Sequence, residues 1–173
     1  LITNIVKISE WEDSETEKQA ILDLTKKTYG DDAEISNSSY FNWQYRNNPT
    51  GKAVVLLAYD ELNNNLLVGT NTIIPVSLLV DQEKILSSLA CNVQVHPDYQ
   101  KKGIFSKLLS SMHSIVKMKE ISSLFAIPNE NSFHAFINDG SSEIIQLPLL
   151  ARPIKFSRYF NSPINKFLKI FDG

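Results

Sequence analysis

The spacing of apolar positions changes period several times along the chain, and each change predicts an element. Residues 2–8 alternate and carry Ile2, Val6 and Ile8, the pattern of a short strand. From Ser14 the period becomes helical. Ala20, Ile21 and Leu24 form an apolar stripe, Glu17 stands three residues after Ser14 as in a capping box, and Gly30 stands where a helix stops, so a helix is predicted over roughly 14–29. The segment 38–46 holds Tyr40, Phe41, Trp43 and Tyr45 ahead of Asn47-Asn48-Pro49, which predicts a second short helix ending in a turn. Its rings can wall a cleft or pack in the core.

Three apolar, β-rich runs follow, at 53–59, 66–80 with Gly69 and Pro75 as bend points, and 84–95. Residues 60–65 and 80–83 read as the turns between them, so antiparallel hairpins are expected. After Val95 the period returns to helical. Ile104, Leu108, Leu109, Met112, Ile115 and Val116 share one face of a helix opened by Gly103 and ending near Lys119, with lysines opposite. A buried strand at 122–127, a short helix at 131–138 and a strand at 144–150 complete the pattern. This order predicts an α+β fold: a mixed, mostly antiparallel sheet flanked by helices.

Composition narrows the class. With 173 residues, 43% of them hydrophobic, the chain can bury one substantial core. The expected division is a main domain at 1–150 and a strand and helix extension at 151–173. Seventeen Lys and Arg against 19 Asp and Glu give no electrostatic reason to expect nucleic acid or an anionic membrane as partner. A lone cysteine, Cys91, cannot form an internal disulfide, and no Cys/His spacing suits zinc. No apolar run approaches the roughly 20 residues of a membrane span, and no charged-then-apolar leader opens the sequence. A cytoplasmic setting is expected. The chain begins on Leu1 and closes on a Phe-rich stretch, as a portion of a longer protein would.

The stretch Val93-Gln94-Val95-His96-Pro97-Asp98-Tyr99-Gln100-Lys101-Lys102-Gly103-Ile104-Phe105 carries the chemistry. A strand passes through a short loop straight into a helix, whose free N–H groups and positive dipole end favour an anion. Gly103 permits close backbone approach, and Lys101 and Lys102 add formal charge. The alternative is a tight turn with two solvated lysines.

Gln100-x-x-Gly103-Ile104, with Trp43-Gln44-Tyr45-Arg46-Asn47-Asn48-Pro49 before it and Pro128-Asn129-Glu130-Asn131-Ser132 after it, resembles the GNAT superfamily of acyl-CoA N-acyltransferases. The closest likeness is to a bacterial and archaeal branch, and it covers roughly 35–150. The resemblance implies a sheet whose fourth and fifth strands splay apart, with acetyl-CoA as co-substrate. It implies that the N–H groups of Lys101, Lys102, Gly103, Ile104 and Phe105 bind the pyrophosphate and that Gln100 braces the loop. Main-chain groups of Val93 and Val95 would meet the pantetheine arm, and Asn129 would contact it. Two positions depart from the pattern. Phe105 replaces the second small residue of the signature, and Phe136 stands where relatives often carry the Tyr that protonates the departing thiolate; a phenyl ring has no proton to give.

Acyl transfer to an amine requires a neutral amine, a positioned thioester and a donor to the developing oxyanion, which a backbone N–H at the end of the fourth strand can supply. Residues 84–95 carry no carboxylate beyond their first turn. The candidate bases are Glu130, Asp98, His96 and Glu34, and the candidate acids are Tyr99, His134 and water. Glu130, His134 and Tyr99 lead the list. Cys91 reads as a small buried strand residue, since no histidine stands at a recognisable spacing. The expected reaction moves an acetyl group to the amine of a sugar or another small metabolite; the alternative is a module that binds acyl-CoA without catalysis. Beyond Leu150, basic residues interleave with Phe156, Phe160, Phe167 and Phe171, predicting a segment that covers the sheet or meets another domain; a membrane surface is the competing partner.

Overall fold

The computed structural model describes residues 6–147. The chain divides into two compact units, 1–141 and 142–173. The first contains five strands, β1 (Val6–Glu10), β2 (Val54–Asp60), β3 (Leu66–Val80), β4 (Glu83–Val95) and β5 (Ser123–Ala126), in one sheet of order β1-β2-β3-β4-β5. The first four pair antiparallel, and β4 and β5 run parallel. The parallel step needs a crossover, and helix α3 (Ile104–Met118) provides it. Helices α1 (Glu15–Tyr29) and α2 (Ser38–Phe41) precede the hairpins, and α4 (Glu130–Asn138) follows β5.

Helices lie on both faces of the sheet, which explains why β2 reads as the unbroken apolar run Val54-Val55-Leu56-Leu57-Ala58. Leu56 and Ala58 face a core with Val68, Ile104, Leu108 and Met112 beneath α3. Val55 and Leu57 face the opposite core with Trp11, Ile21, Leu24, Phe41 and Tyr45 beneath α1 and α2. Gly69 on β3 marks the closest approach of α3: a Cβ there would lie 3.1 Å from both Ile104 Cγ2 and Leu108 Cδ1, and 3.2 Å from the Gln94 carbonyl.

The caps follow the sequence with one change of detail. Ser14 Oγ accepts from the Glu17 N–H at 3.2 Å, while the Glu17 carboxylate accepts from Ser14 Oγ and from the Glu12 N–H instead of closing on the Ser14 N–H. The predicted helix at 38–46 is α-helical only to Phe41; Asn42–Arg46 form a π-helical turn. Helix α4 starts at Glu130, one residue earlier than expected, because Asn129 Oδ1 accepts the Ser132 N–H at 3.1 Å and caps it.

The strand expected at 144–150 is not present over the part described: residues 141–147 are irregular, with Ile144, Ile145 and Leu147 exposed. A short apolar run satisfies a strand pattern locally, but a strand also needs a paired edge. Residues 148–150, the extension at 151–173 and residues 2–5 of the first strand lie outside the described residues. Among the described residues no helix is long and apolar enough to cross a membrane, and no three His, Cys, Asp or Glu side chains group as metal ligands would.

Candidate active site

Strands β4 and β5 pair only from Ser87–Ser123 to Ala90–Ala126. Beyond that point β4 continues to Val95 while β5 has ended, and the two chains part around a cleft of about 910 Å³. Its walls are β4 from Ala90 to Val95, the turn 126–129, the start of α3, the inner face of α4, and Thr28 and Tyr29 at the end of α1.

At one end lies the loop into α3. Lys101 (φ 59°) and Gly103 (φ 78°) both have left-handed backbone, and the first N–H after Gln100 with a backbone acceptor is Lys107, which donates to the Gly103 carbonyl at 3.1 Å. Among the described residues, no protein group accepts from the N–H groups of Lys101 through Ser106, and Lys101, Gly103, Ile104, Phe105 and Ser106 line the cleft at a positive helix terminus. Left-handed backbone at Gly103 costs a glycine little.

The loop is braced from behind by residues other than the one expected. The Gln100 side chain is exposed and makes no hydrogen bond among the described residues. Tyr99 does the holding. Its hydroxyl donates to Asp60 Oδ2 at 2.7 Å and accepts from Asn63 Nδ2 at 3.0 Å, its ring meets His96 edge-on, and Lys102 Nζ lies 4.6 Å from its centroid. Lys102 thereby turns into a second concavity, of about 620 Å³, with Lys27, His96 and Asp98. His96 Nδ1 accepts from the Asp98 N–H at 3.3 Å.

The middle of the cleft is the irregular part of β4. Thr70 pairs with Gln94 and Thr72 with Cys91, so two steps on β3 face three on β4. The extra residue is a bulge at Asn92, which has φ 51°. It resets the alternation: Val93 and Val95 pack toward α3, Cys91 packs toward α1 and α2, and Asn92 shares that side. The main chain of Val93 lines the cleft, and its carbonyl accepts from Tyr29 Oη at 3.5 Å.

Of the predicted acid and base candidates, Tyr99 lines the cleft, with its hydroxyl turned to Asp60, and the others do not. Glu130 and His134 are exposed, one turn apart on the outer face of α4, while Ser132, Ala135 and Phe136 turn to the cleft. The Asn129 cap sets that rotation. Phe136 is buried and meets the Phe105 ring edge-on with centroids 6.1 Å apart, so an aromatic pair floors the site where a hydroxyl was looked for. Asn129 lines the cleft, but its Oδ1 is occupied by the helix cap. Cys91 lines it as a half-buried thiol whose pKa burial pushes up to about 12. Tyr29 was not foreseen. Burial raises its pKa, so its hydroxyl keeps its proton at neutral pH.

A family model for the acetyltransferase (GNAT) domain matches residues 12–134, and the chain belongs to that family. By sequence, no curated protein matches. Solved structures share the fold at low identity. An aminoglycoside acetyltransferase from an uncultured soil metagenomic sample, in complex with trehalose, is 18% identical with a TM-score of 0.67 over 88% of this chain and 99% of its own. An acetyltransferase of Clostridium acetobutylicum, with acetyl-CoA, is 15% identical with a TM-score of 0.66 over 84% and 96%. Glucosamine-6-phosphate N-acetyltransferase of Arabidopsis thaliana is 14% identical with a TM-score of 0.61 over 84% and 97%.

Proposed function

We propose that this GNAT domain transfers an acetyl group from acetyl-CoA to the amine of a small molecule, with a sugar amine as the leading acceptor class. The observation that carries the reading is the cleft at the β4–β5 splay, which ends on the unpaired N–H row of Lys101, Lys102, Gly103, Ile104 and Phe105. A pyrophosphate laid on that row puts the pantetheine arm against the main chain of Val93 and Val95, with Asn129 across from it. The thioester then reaches the bulge at Asn92.

In this reading the amine enters from the α1 and α2 side. Its nitrogen attacks the thioester carbon, a main-chain N–H of the bulge stabilises the oxyanion, the C–S bond breaks as the C–N bond is completed, and the amine loses one proton while the thiolate gains one. Glu130 and His134 serve this exchange only through solvent, and the Tyr99 hydroxyl is committed to Asp60. The Tyr29 hydroxyl, held only by a 3.5 Å hydrogen bond to the neutral Val93 carbonyl, is the more readily released of the two tyrosine hydroxyls along the cleft, and we assign it the donor role that Phe136 cannot fill. The relatives that act on aminoglycosides and on glucosamine-6-phosphate make amino sugars the first acceptors to try. A cytoplasmic setting, where acetyl-CoA is made and used, fits the proposal.

The test is a thermal-shift titration with acetyl-CoA, followed by thiol release with a panel of amines. Wild-type protein is expected to gain about 2.7 kcal/mol of stability at a hundredfold excess over Kd. Gly103→Glu, which sets a carboxylate on the anion site and a side chain at φ 78°, is expected to gain none. A shift without thiol release from any amine favours the second reading, an acyl-CoA-binding module without catalysis, which the Phe136 substitution supports. Absence of any shift in wild type overturns both.

A further inference from the structure

The β4 bulge is held from outside the strand by a connection that spans three elements. Asn92 Nδ2 donates to Gln44 Oε1 at 2.8 Å and to Tyr45 Oη at 3.0 Å. Gln44 and Tyr45 are consecutive residues of the π-helical turn Asn42–Arg46. Both nonetheless reach the same amide group. The Tyr45 hydroxyl is buried and also accepts from Thr72 Oγ1 at 3.2 Å, on the strand opposite the bulge. The turn is fixed in its own right, because Arg46 bonds Asp13 Oδ1 and Glu15 Oε1, each at 2.6 Å.

A residue at φ 51° has no ladder partner to keep it there, and only Gly, Asn or Asp adopts that backbone at low cost. Here the side-chain amide supplies what the ladder does not. Resting on the acetyl-CoA reading, we propose that Asn92 is a positioning residue: anchored by Gln44 and Tyr45, its side chain fixes the bulge so that a main-chain N–H of Asn92–Val93 points at the acyl carbonyl. The same anchor joins the acyl site to the turn Asn42–Arg46.

The variant Asn92→Gly keeps the backbone conformation available and deletes the anchor. Amide resonances of wild type and variant are followed with CoA and with acetyl-CoA, a pair of ligands that differ only in the acyl group. In wild type both ligands are expected to move the amides of 101–105, and acetyl-CoA alone to move an amide of 92–93. In Asn92→Gly the loop shifts persist, Tm stays within about 5 °C of wild type, and the acetyl-selective shift disappears. With an amine substrate, kcat is expected to fall about 100-fold at nearly constant KM for acetyl-CoA, and adding Gln44→Ala is expected to cost nothing more. Retention of the acetyl-selective shift in Asn92→Gly, or its absence from 92–93 in wild type, overturns the positioning role while leaving the cofactor reading intact. If CoA moves no amide of 101–105 in wild type, the cofactor reading fails and this inference falls with it.

Discussion

The two ends of the cleft are built on different principles. The end at α3 is made of backbone: a left-handed lysine, a left-handed glycine and six consecutive N–H groups without an acceptor among the described residues. The end at α1 is made of the side chains of Tyr29 and Asn92, the latter held from behind by Gln44 and Tyr45, with hydrogen bonds of 2.8 to 3.5 Å. A backbone site needs only a glycine and a helix start, so it tolerates change in nearly every side chain around it. A side-chain site changes with each substitution. Chains of 14–18% identity can therefore share this fold while their side-chain sites differ.

That contrast can be broken chemically, and the largest expected effect is at Cys91. With its pKa pushed by burial from 9.0 to about 12, its thiolate fraction at pH 8 should be roughly a thousandfold below that of an ordinary cysteine. Alkylation by iodoacetamide should be correspondingly slow and should still be rising at pH 10, because the thiol loses its proton only near pH 12. A plateau below pH 9 would mean that this end of the cleft is wet and open.

Gly69→Ala probes the opposite end. The new Cβ would press on Ile104 and Leu108 at 3.1 Å and on the Gln94 carbonyl at 3.2 Å, and the carbonyl cannot rotate away. A loss of about 1–3 kcal/mol in urea unfolding is expected. Weaker acetyl-CoA binding should accompany it, since Ile104 begins the helix whose terminus forms the anion site. Unchanged affinity would separate helix packing from loop geometry.

The smallest effect is expected at Asp13, where Lys52 and Arg46 donate to the carboxylate and hold its pKa below the ordinary 3.8. A depressed folded value means that its stabilisation is present above about pH 4 and is lost as pH falls through the folded value. Asp13→Asn should therefore lower stability by less than about 1 kcal/mol at pH 7 and flatten the acid limb of the unfolding curve. It should leave acetyl-CoA affinity unchanged, because the cluster supports only the π turn and α1. A drop in affinity would show the two ends to be coupled.

Most elements were legible in the sequence because local rules set them. Ser14 and Glu17 open α1, Gly30 ends it, and the apolar face of Ile104, Leu108, Leu109 and Met112 marks α3. The strand at 144–150 was misread over 144–147 because an apolar run reports a side-chain preference and says nothing of whether a partner edge is available. The turn into α3 was legible because it is made of backbone: a glycine tolerates the left-handed conformation of position 103 easily, and the glycine is written in the sequence. Glu130 and His134 were attractive by residue type alone. Their direction depends on the rotation of α4, which the Asn129 cap and the burial of Phe136 decide.

The sequence by itself determined the helices, the hairpins, the glycine that opens α3 and the absence of a tyrosine at position 136, since each is a matter of neighbours within a few residues. Tertiary structure decided where β5 stops beside β4, that β4 bulges at Asn92, that Tyr29 reaches Val93, and that Gln44 and Tyr45 reach Asn92. Those residues are separated by up to 64 positions, and Asn92 has no local pattern of its own, because its conformation is set by partners that only the folded sheet brings within hydrogen-bond reach.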